Sequence, residues 1–311
     1  MASGLGTRFL QASSVNIFVQ SWARHSPGTR LVVFVGPEDL KVIKQTQPWP
    51  SVLSPTWGVQ LVSTRVPLTA TEVRAGHTPV VIKKRKFHRY TAFLDYLEGA
   101  GASCEGVVLS DSRDVIVQAD VWTDPVVARL LKEDSLVFSL EGNTAHQPFL
   151  LKESKWNEVA LAKCYPADVV QAVGQKPLSC SGVTLGSANA IKSYLRAFMR
   201  AAANALPTCM NDQPVHNYLL HHLPTIEPLE FKYMVLNNSQ SPVMSFQFGV
   251  PAHVDEFSRI ITLDGHLAPI VHQYDRQQEL AQAYRAMYPV IEGKVVSLDA
   301  KYDPTNLQNK K

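Results

Sequence analysis

The chain predicts an α/β protein in which a mostly parallel sheet is flanked by helices on both faces. Three observations carry that expectation. Short apolar runs such as Leu31-Val32-Val33-Phe34-Val35 and Gly106-Val107-Val108-Leu109 have the length and β-branched content of strands buried on both faces. Segments with apolar residues at helical spacing alternate with those runs, as crossover helices would. Acidic and small residues collect just beyond the apolar runs, where open α/β sheets bind ligands.

Taken in order, Val15, Phe18, Val19 and Trp22 stand at i, i+3, i+4 and i+7 and define a helix face that Ser26-Pro27-Gly28 breaks. Leu31–Val35 is the first evident strand. Pro48, Pro50 and Pro55 mark a loop, and Val59-Gln60-Leu61-Val62 is a second strand candidate. Tyr90, Phe93, Leu94 and Leu97 form another helix face, stopped by Gly99 and Gly101 ahead of the Gly106 strand. Leu136–Leu140 is a further strand and Val183–Leu185 a shorter one. Ser187 suits the N-cap of a helix over 188–205. Three more strands are expected over Met244–Phe248, Arg259–Leu263 and Ala268–Val271, with a helix over about Gln277–Met287. Residues 301–311 are polar and read as a frayed tail. Residues 1–300 show neither repeat nor linker and read as one domain.

Composition narrows the class. With 311 residues, 45% apolar and 18% charged, the chain can bury a sizeable core. A net charge of +3 makes no demand for nucleic acid or an anionic membrane. No apolar stretch approaches the roughly 20 residues of a membrane span. Met1–Gln11 lacks the apolar core of a signal peptide, so as written the chain reads as cytoplasmic. Lys83-Lys84-Arg85-Lys86 is either a solvated loop or an electropositive rim around a diphosphate pocket. Cys104, Cys164, Cys180 and Cys209 form no Cys-x-x-Cys pair, which argues against structural zinc while permitting disulfides. Asn237-Asn238-Ser239 is a glycosylation sequon.

The chemistry concentrates in Ser110-Asp111-Ser112-Arg113-Asp114, which closes the Gly106 strand. Two carboxylates one turn apart at the end of a buried strand are costly unless a cation holds them. The usual occupant is a divalent ion with a phosphate beyond it, which points to an enzyme acting on a nucleotide-linked substrate. A plain turn whose aspartates cap the next segment accounts for the same residues. Cys180-Ser181-Gly182-Val183 is a small-residue turn that lets a ligand approach the backbone. Asn211-Asp212-Gln213-Pro214 starts a helix, with Asn211 as cap and Asp212 and Gln213 left to face a ligand. His272 ends an apolar strand, a place where a histidine is more often simply hydrogen-bonded than a ligand.

In their order these pieces resemble the GT-A-fold, nucleotide-sugar-dependent glycosyltransferases, over roughly residues 12–290. The pattern is a helix opening with Arg89, a strand ending in the acidic motif, a Ser-Gly turn, an Asp-Gln helix start and a late histidine. It looks most like the retaining galactosyl- and glucosyl-transferases. The resemblance implies a GT-A-like, Rossmann-type mixed sheet, a nucleotide-sugar donor (UDP-linked), a carbohydrate or glycoconjugate acceptor, and Mn²⁺ or Mg²⁺. It implies Asp111, Asp114 and His272 as metal ligands. Arg89, Asp111, Arg113, Ser181 and Gly182 would contact the donor, and Asp212 with Gln213 would stand beside the reacting sugar.

The chain departs from that family in three places. The acidic pair is Asp-x-x-Asp rather than Asp-x-Asp, and Cys-Ser-Gly replaces the frequent Asn-Ser-Gly. No strand is evident before the Val15 helix, because Met1–Leu10 is short and polar. That first strand is either degenerate or carried upstream, and an upstream anchor would place the protein in the Golgi lumen. Two other readings compete. A nucleotidyltransferase forming nucleotide sugars would use a Gly-rich basic loop, faintly echoed by Gly4-Leu5-Gly6-Thr7-Arg8. A non-catalytic sugar- or partner-binding domain could occupy the same scaffold. A phosphatase fails, since no Asp-x-Asp-x-Thr spacing is present.

Overall fold

The apolar runs become central strands, and the helical segments cover them from both sides. The structure, a computed structural model, describes residues 2–3, 13–35, 49–50, 58–63, 87–144, 147–246, 253–257, 259–261, 265–289 and 292–293. In chain order the principal elements are β1 (Ala2–Ser3), α1 (Ser13–His25), β2 (Leu31–Val35), β3 (Val59–Ser63), α2 (His88–Glu98), β4 (Gly106–Asp111) and β5 (Val115–Val117). Then follow α3 (Pro125–Lys132), β6 (Ser135–Ser139), α4 (Lys155–Ala162), α5 (Ala167–Gly174), β7 (Val183–Ser187) and α6 (Ala188–Asn204). The last are α7 (Asp212–His221), β8 (Lys232–Leu236), β9 (Val243–Ser245), β10 (Ile270–His272) and α8 (Gln278–Met287).

The main sheet has seven strands in the order β8-β6-β7-β4-β1-β2-β3. Four of its six pairings are parallel, and β7 runs antiparallel to both β6 and β4. The slot between β2 and β4 is filled by β1, two residues paired parallel to both neighbours. A second, three-stranded sheet has the order β9-β10-β5, and short pairings form further small sheets. The fold is thus mixed α/β with one large sheet and several small ones.

Alternation along the strands explains the two-sided core. Val32, Phe34, Val107, Leu109, Leu136 and Phe138 pack with α2, α6 and α7 on one face. Leu31, Val33, Val35, Val108 and Val137 point the other way, onto α1 and α3. A third cluster joins Ile116, Met244 and Val271 of the small sheet to Leu280 and Tyr284 of α8. Local signals agree with these elements. Ser187 Oγ accepts from Ala190 N–H at 3.1 Å, the N-cap expected for α6. Asp124 caps α3 by accepting from Val126 and Val127, with Pro125 at the first helical position. Asn211 holds the N-cap position of α7, but its side chain makes no capping bond.

Several expectations shift at their edges. The strand expected over Met244–Phe248 is β9, Val243–Ser245, with residues 247 and 248 outside the described residues. That expected over Arg259–Leu263 is a two-residue strand, Ile260–Ile261, with 262 and 263 outside the described residues. The basic run Lys83–Lys86, the Gly4–Arg8 segment and the 301–311 tail also lie outside them. Cys164 and Cys209 form a disulfide, while Cys104 and Cys180 are free. Among the described residues no helix is long and apolar enough to cross a membrane.

Candidate metal centre

Segments from distant parts of the chain converge on the carboxyl edge of the large sheet. β4 ends there in Asp111, and the following turn delivers Asp114 just ahead of β5. Because β7 is reversed, its beginning rather than its end faces this edge, which brings Ser181 and Gly182 alongside. Gly182 O accepts from Asp111 N–H at 2.7 Å. β6 leads to Glu141, α7 begins with Asp212 and Gln213, and Arg89 lies in the first turn of α2. On the small sheet β10 pairs with β5 so that His272 stands opposite Val115, the residue after Asp114. Gln273 then adopts a left-handed conformation (φ 62°), and its N–H returns to Asp114 O at 2.6 Å. A non-glycine residue there costs roughly 1–2 kcal/mol, and such strain tends to gather at functional sites.

Asp111, Asp114 and His272 present ligand atoms that all lie within 4.8 Å of one another. His272 Nε2 is 3.6 Å from Asp114 Oδ1 and 3.9 Å from Asp111 Oδ2. Its other ring nitrogen, Nδ1, lies 3.0 Å from Cys180 Sγ. One nitrogen is therefore engaged by the protein while the other faces the carboxylates, the usual arrangement of a histidine ligand. Two carboxylate oxygens and an imidazole nitrogen are a donor set that could hold a divalent metal ion. Gly182 makes room for the ring, since a Cβ there would fall 2.3 Å from His272 Cε1.

The charges compensate one another. Burial opposes ionisation of Asp114, but the His272 imidazolium and then Arg113 outweigh it and hold the carboxyl well below its ordinary range. Burial likewise opposes the imidazolium, yet the Cys180 sulfur and the Asp114 carboxylate push the His272 pKa well above its usual value. Burial raises the pKa of Glu141. A positive group beside Asp114 is the electrostatic counterpart of the cation that two neighbouring carboxylates require.

Arg89 joins the remaining acids. Its guanidinium pairs with both Asp111 and Asp212, and the Tyr90 hydroxyl also donates to Asp212, at 3.2 Å. Arg113, half exposed, binds Asp114 at 2.8 Å and Asp275 at 3.5 Å. Gln213 is locked in place. Its Oε1 accepts from Ser181 N–H at 2.8 Å and from Ser181 Oγ at 2.7 Å, and its Nε2 donates to Glu141 Oε1 at 3.1 Å. The carbonyl of Gln213 is thus occupied by the protein itself.

Every site residue expected from sequence lies in this one region: Arg89, Asp111, Arg113, Asp114, Ser181, Gly182, Asp212, Gln213 and His272. Sequence reasoning missed Glu141, Cys180 as the partner of His272, Tyr90 and Asp275. Glu141 carried a readable signal, because it directly follows the Leu136–Leu140 strand just as Asp111 follows β4. Among the described residues, Arg89 Nε, Glu141 Oε2, Gln273 Oε1 and Asp275 Oδ1 are buried polar atoms of this region without a hydrogen-bond partner. Each costs about 1–3 kcal/mol unless a ligand or water satisfies it. Compared with known proteins, the chain matches no family model and no curated protein.

Proposed function

We propose that this chain is a metal-dependent glycosyltransferase with a GT-A-like fold. It would move a sugar from a nucleotide-diphosphate sugar, UDP-linked, to a hydroxyl of a carbohydrate or glycoconjugate acceptor. The observation that carries this reading is the meeting of Asp111, Asp114 and His272 at the carboxyl edge of a largely parallel sheet. The single reversed strand accords with the mixed sheet that the reading requires.

Asp111, Asp114 and His272 would hold Mn²⁺ or Mg²⁺, which when bound offsets the charge that develops on a departing diphosphate. Cys180 fixes the His272 ring so that Nε2 stays turned to the carboxylates. Arg89 adds a fixed positive charge between Asp111 and Asp212. Asp212, paired with that cation, is the group suited to stabilise an anomeric centre that turns oxocarbenium-like. Gln213, with its carbonyl taken by Ser181, braces the donor-lining turn rather than facing the sugar directly. Likeness to retaining enzymes favours retention of configuration, with Asp212 under the reacting face.

The test is thermal stability of the purified chain with UDP and with GDP, each with and without Mn²⁺. A ligand of the folded state raises the melting temperature by mass action. The expected result is a Mn²⁺-dependent rise with one nucleotide that vanishes in Asp114→Ala, followed by release of that nucleotide from its sugar conjugate. No rise with any nucleotide would overturn the reading, and pyrophosphate release from a nucleoside triphosphate would replace it with nucleotidyl transfer.

A further inference from the structure

Glu141 is a buried acid whose carboxylate is only half used. It is 1% exposed, and its backbone is fixed by Glu141 N–H to Leu178 O at 2.8 Å and by Phe149 N–H to Glu141 O at 2.9 Å. Oε1 accepts from Gln213 Nε2. That amide cannot turn over, because two donors of Ser181 hold its oxygen. Oε2 has no hydrogen-bond partner among the described residues. The sequence therefore sets a buried oxygen beside the Ser181–Gln213 brace, and the Cys180 thiol, a weak donor, is the protein group that stands near this carboxylate. Such an atom is rare in folded proteins and is explained when a ligand completes it.

The chemistry narrows the ligand. A carboxylate oxygen accepts a hydrogen bond when ionised and can donate one when protonated. A hydroxyl answers both states, whereas an ammonium answers only the first. His272 and Arg276 already bring positive charge to this corner, so a neutral partner suits it better than a further cation.

We propose that Glu141 determines donor specificity, its Oε2 hydrogen-bonding one hydroxyl of the transferred sugar. This rests on the glycosyltransferase reading above. Glu141 would recognise the sugar without joining the bond changes, and Ser181 and Gln213 would hold it in register.

The experiment measures binding with Mn²⁺ present. Free UDP and GDP are compared with UDP-glucose, UDP-galactose and GDP-mannose, on wild type and on Glu141→Ala. Deoxy analogues of whichever sugar binds are then added to the series. The expected result is that Glu141→Ala weakens the sugar nucleotide roughly tenfold or more, while the free nucleotide stays within about twofold. One deoxy position should cost wild type a similar factor and cost the variant nothing further, since both changes delete the same contact. Additive losses at every deoxy position, or equal weakening of nucleotide and sugar nucleotide, would overturn the role of Glu141 and leave the donor site standing. Failure of wild type to bind any free nucleotide would overturn the donor site and this proposal together. Should Glu141→Ala fail to fold, Glu141→Met keeps the length of the side chain without its oxygens and reads the same comparison.

Discussion

The imidazole of His272 fills the space that a side chain at Gly182 would need. A Cβ added there would stand 2.3 Å from Cε1 and 2.5 Å from Nε2. The ring cannot easily move aside, because Cys180 holds Nδ1 and the pairing of β10 with β5 holds its backbone. Gly182→Ala is therefore expected to cost about 1–3 kcal/mol of stability by overpacking. It should also weaken Mn²⁺ binding at least tenfold by displacing a ligand. Titration calorimetry with Mn²⁺ checks this, and an unchanged affinity would remove His272 from the ligand set.

Arg89 bridges Asp111 and Asp212. Its removal takes from both acids the cation they share. Asp111 is 35% exposed, so solvent screens part of the penalty. Arg89→Ala is expected to lower stability by about 2 kcal/mol, below the range for fully buried pairs. Arg89→Lys should recover less than half of that, because a single ammonium cannot match the two-sided fork of a guanidinium. Urea denaturation distinguishes the cases, and identical midpoints for all three proteins would show that the bridge contributes nothing.

The Cys164–Cys209 disulfide closes a loop with a sequence separation of 45 residues and lies three residues ahead of Asp212. Loop entropy alone assigns a cross-link of that span about 4 kcal/mol, and measured values usually fall at about 2–4. The double variant Cys164→Ala/Cys209→Ala should lose stability in that range. Leu206 N–H to Cys164 O at 2.9 Å also ties these segments, so the loop should stay in place after the cross-link is gone. Melting curves of the oxidised protein with and without reductant provide the check. Superimposable curves would mean that the bond stabilises nothing.

His216 makes stability depend on acidity. Its Nε2 faces Ser179 Oγ at 2.9 Å and its Nδ1 faces Tyr194 OH at 2.8 Å. Burial, the dominant influence, lowers its pKa from 6.5 to about 3. The folded protein thus keeps the ring neutral, while the unfolded chain takes up a proton below pH 6.5. Stability from this residue is complete above that value and lost as pH falls toward 3. By pH 4 the loss is on the order of 3 kcal/mol. Denaturation midpoints between pH 7 and 4 should fall less steeply in His216→Gln than in wild type, and parallel slopes would refute the assignment.

Much of this architecture was legible because strands buried on both faces leave unbroken apolar runs, as at Leu31–Val35 and Leu136–Leu140. Where burial is one-sided or absent, the signal fades. β8 is an edge strand with Lys232, Tyr233 and Val235 exposed; its run Tyr233-Met234-Val235-Leu236 is apolar, but it carries no alternation that would tell a half-covered strand from another element. β1 has only two residues, and its place comes from the neighbours it pairs with rather than from any pattern of its own. In the site, Asp111 and Asp114 stood out because acids at a strand end are conspicuous, and the same rule would have found Glu141. The Gln213–Ser181 lock spans 32 residues and the Cys180–His272 contact 92, and no local spacing encodes either. The disulfide was equally hidden, since four cysteines without a motif permit several pairings.

The pairing of β10 with β5 has a consequence for how this protein can change over time. Strand side chains alternate between faces, so a slip of one residue would turn His272 toward Met244 and Ile116 and away from Asp114. Most of the site lies between β5 and β10, so what fixes His272 is the ladder itself and not its distance along the chain from Asp114. A single-residue insertion inside Ile270–His272 should dismantle the triad even with every ligand still present in the sequence. The site therefore depends on the parity of three residues.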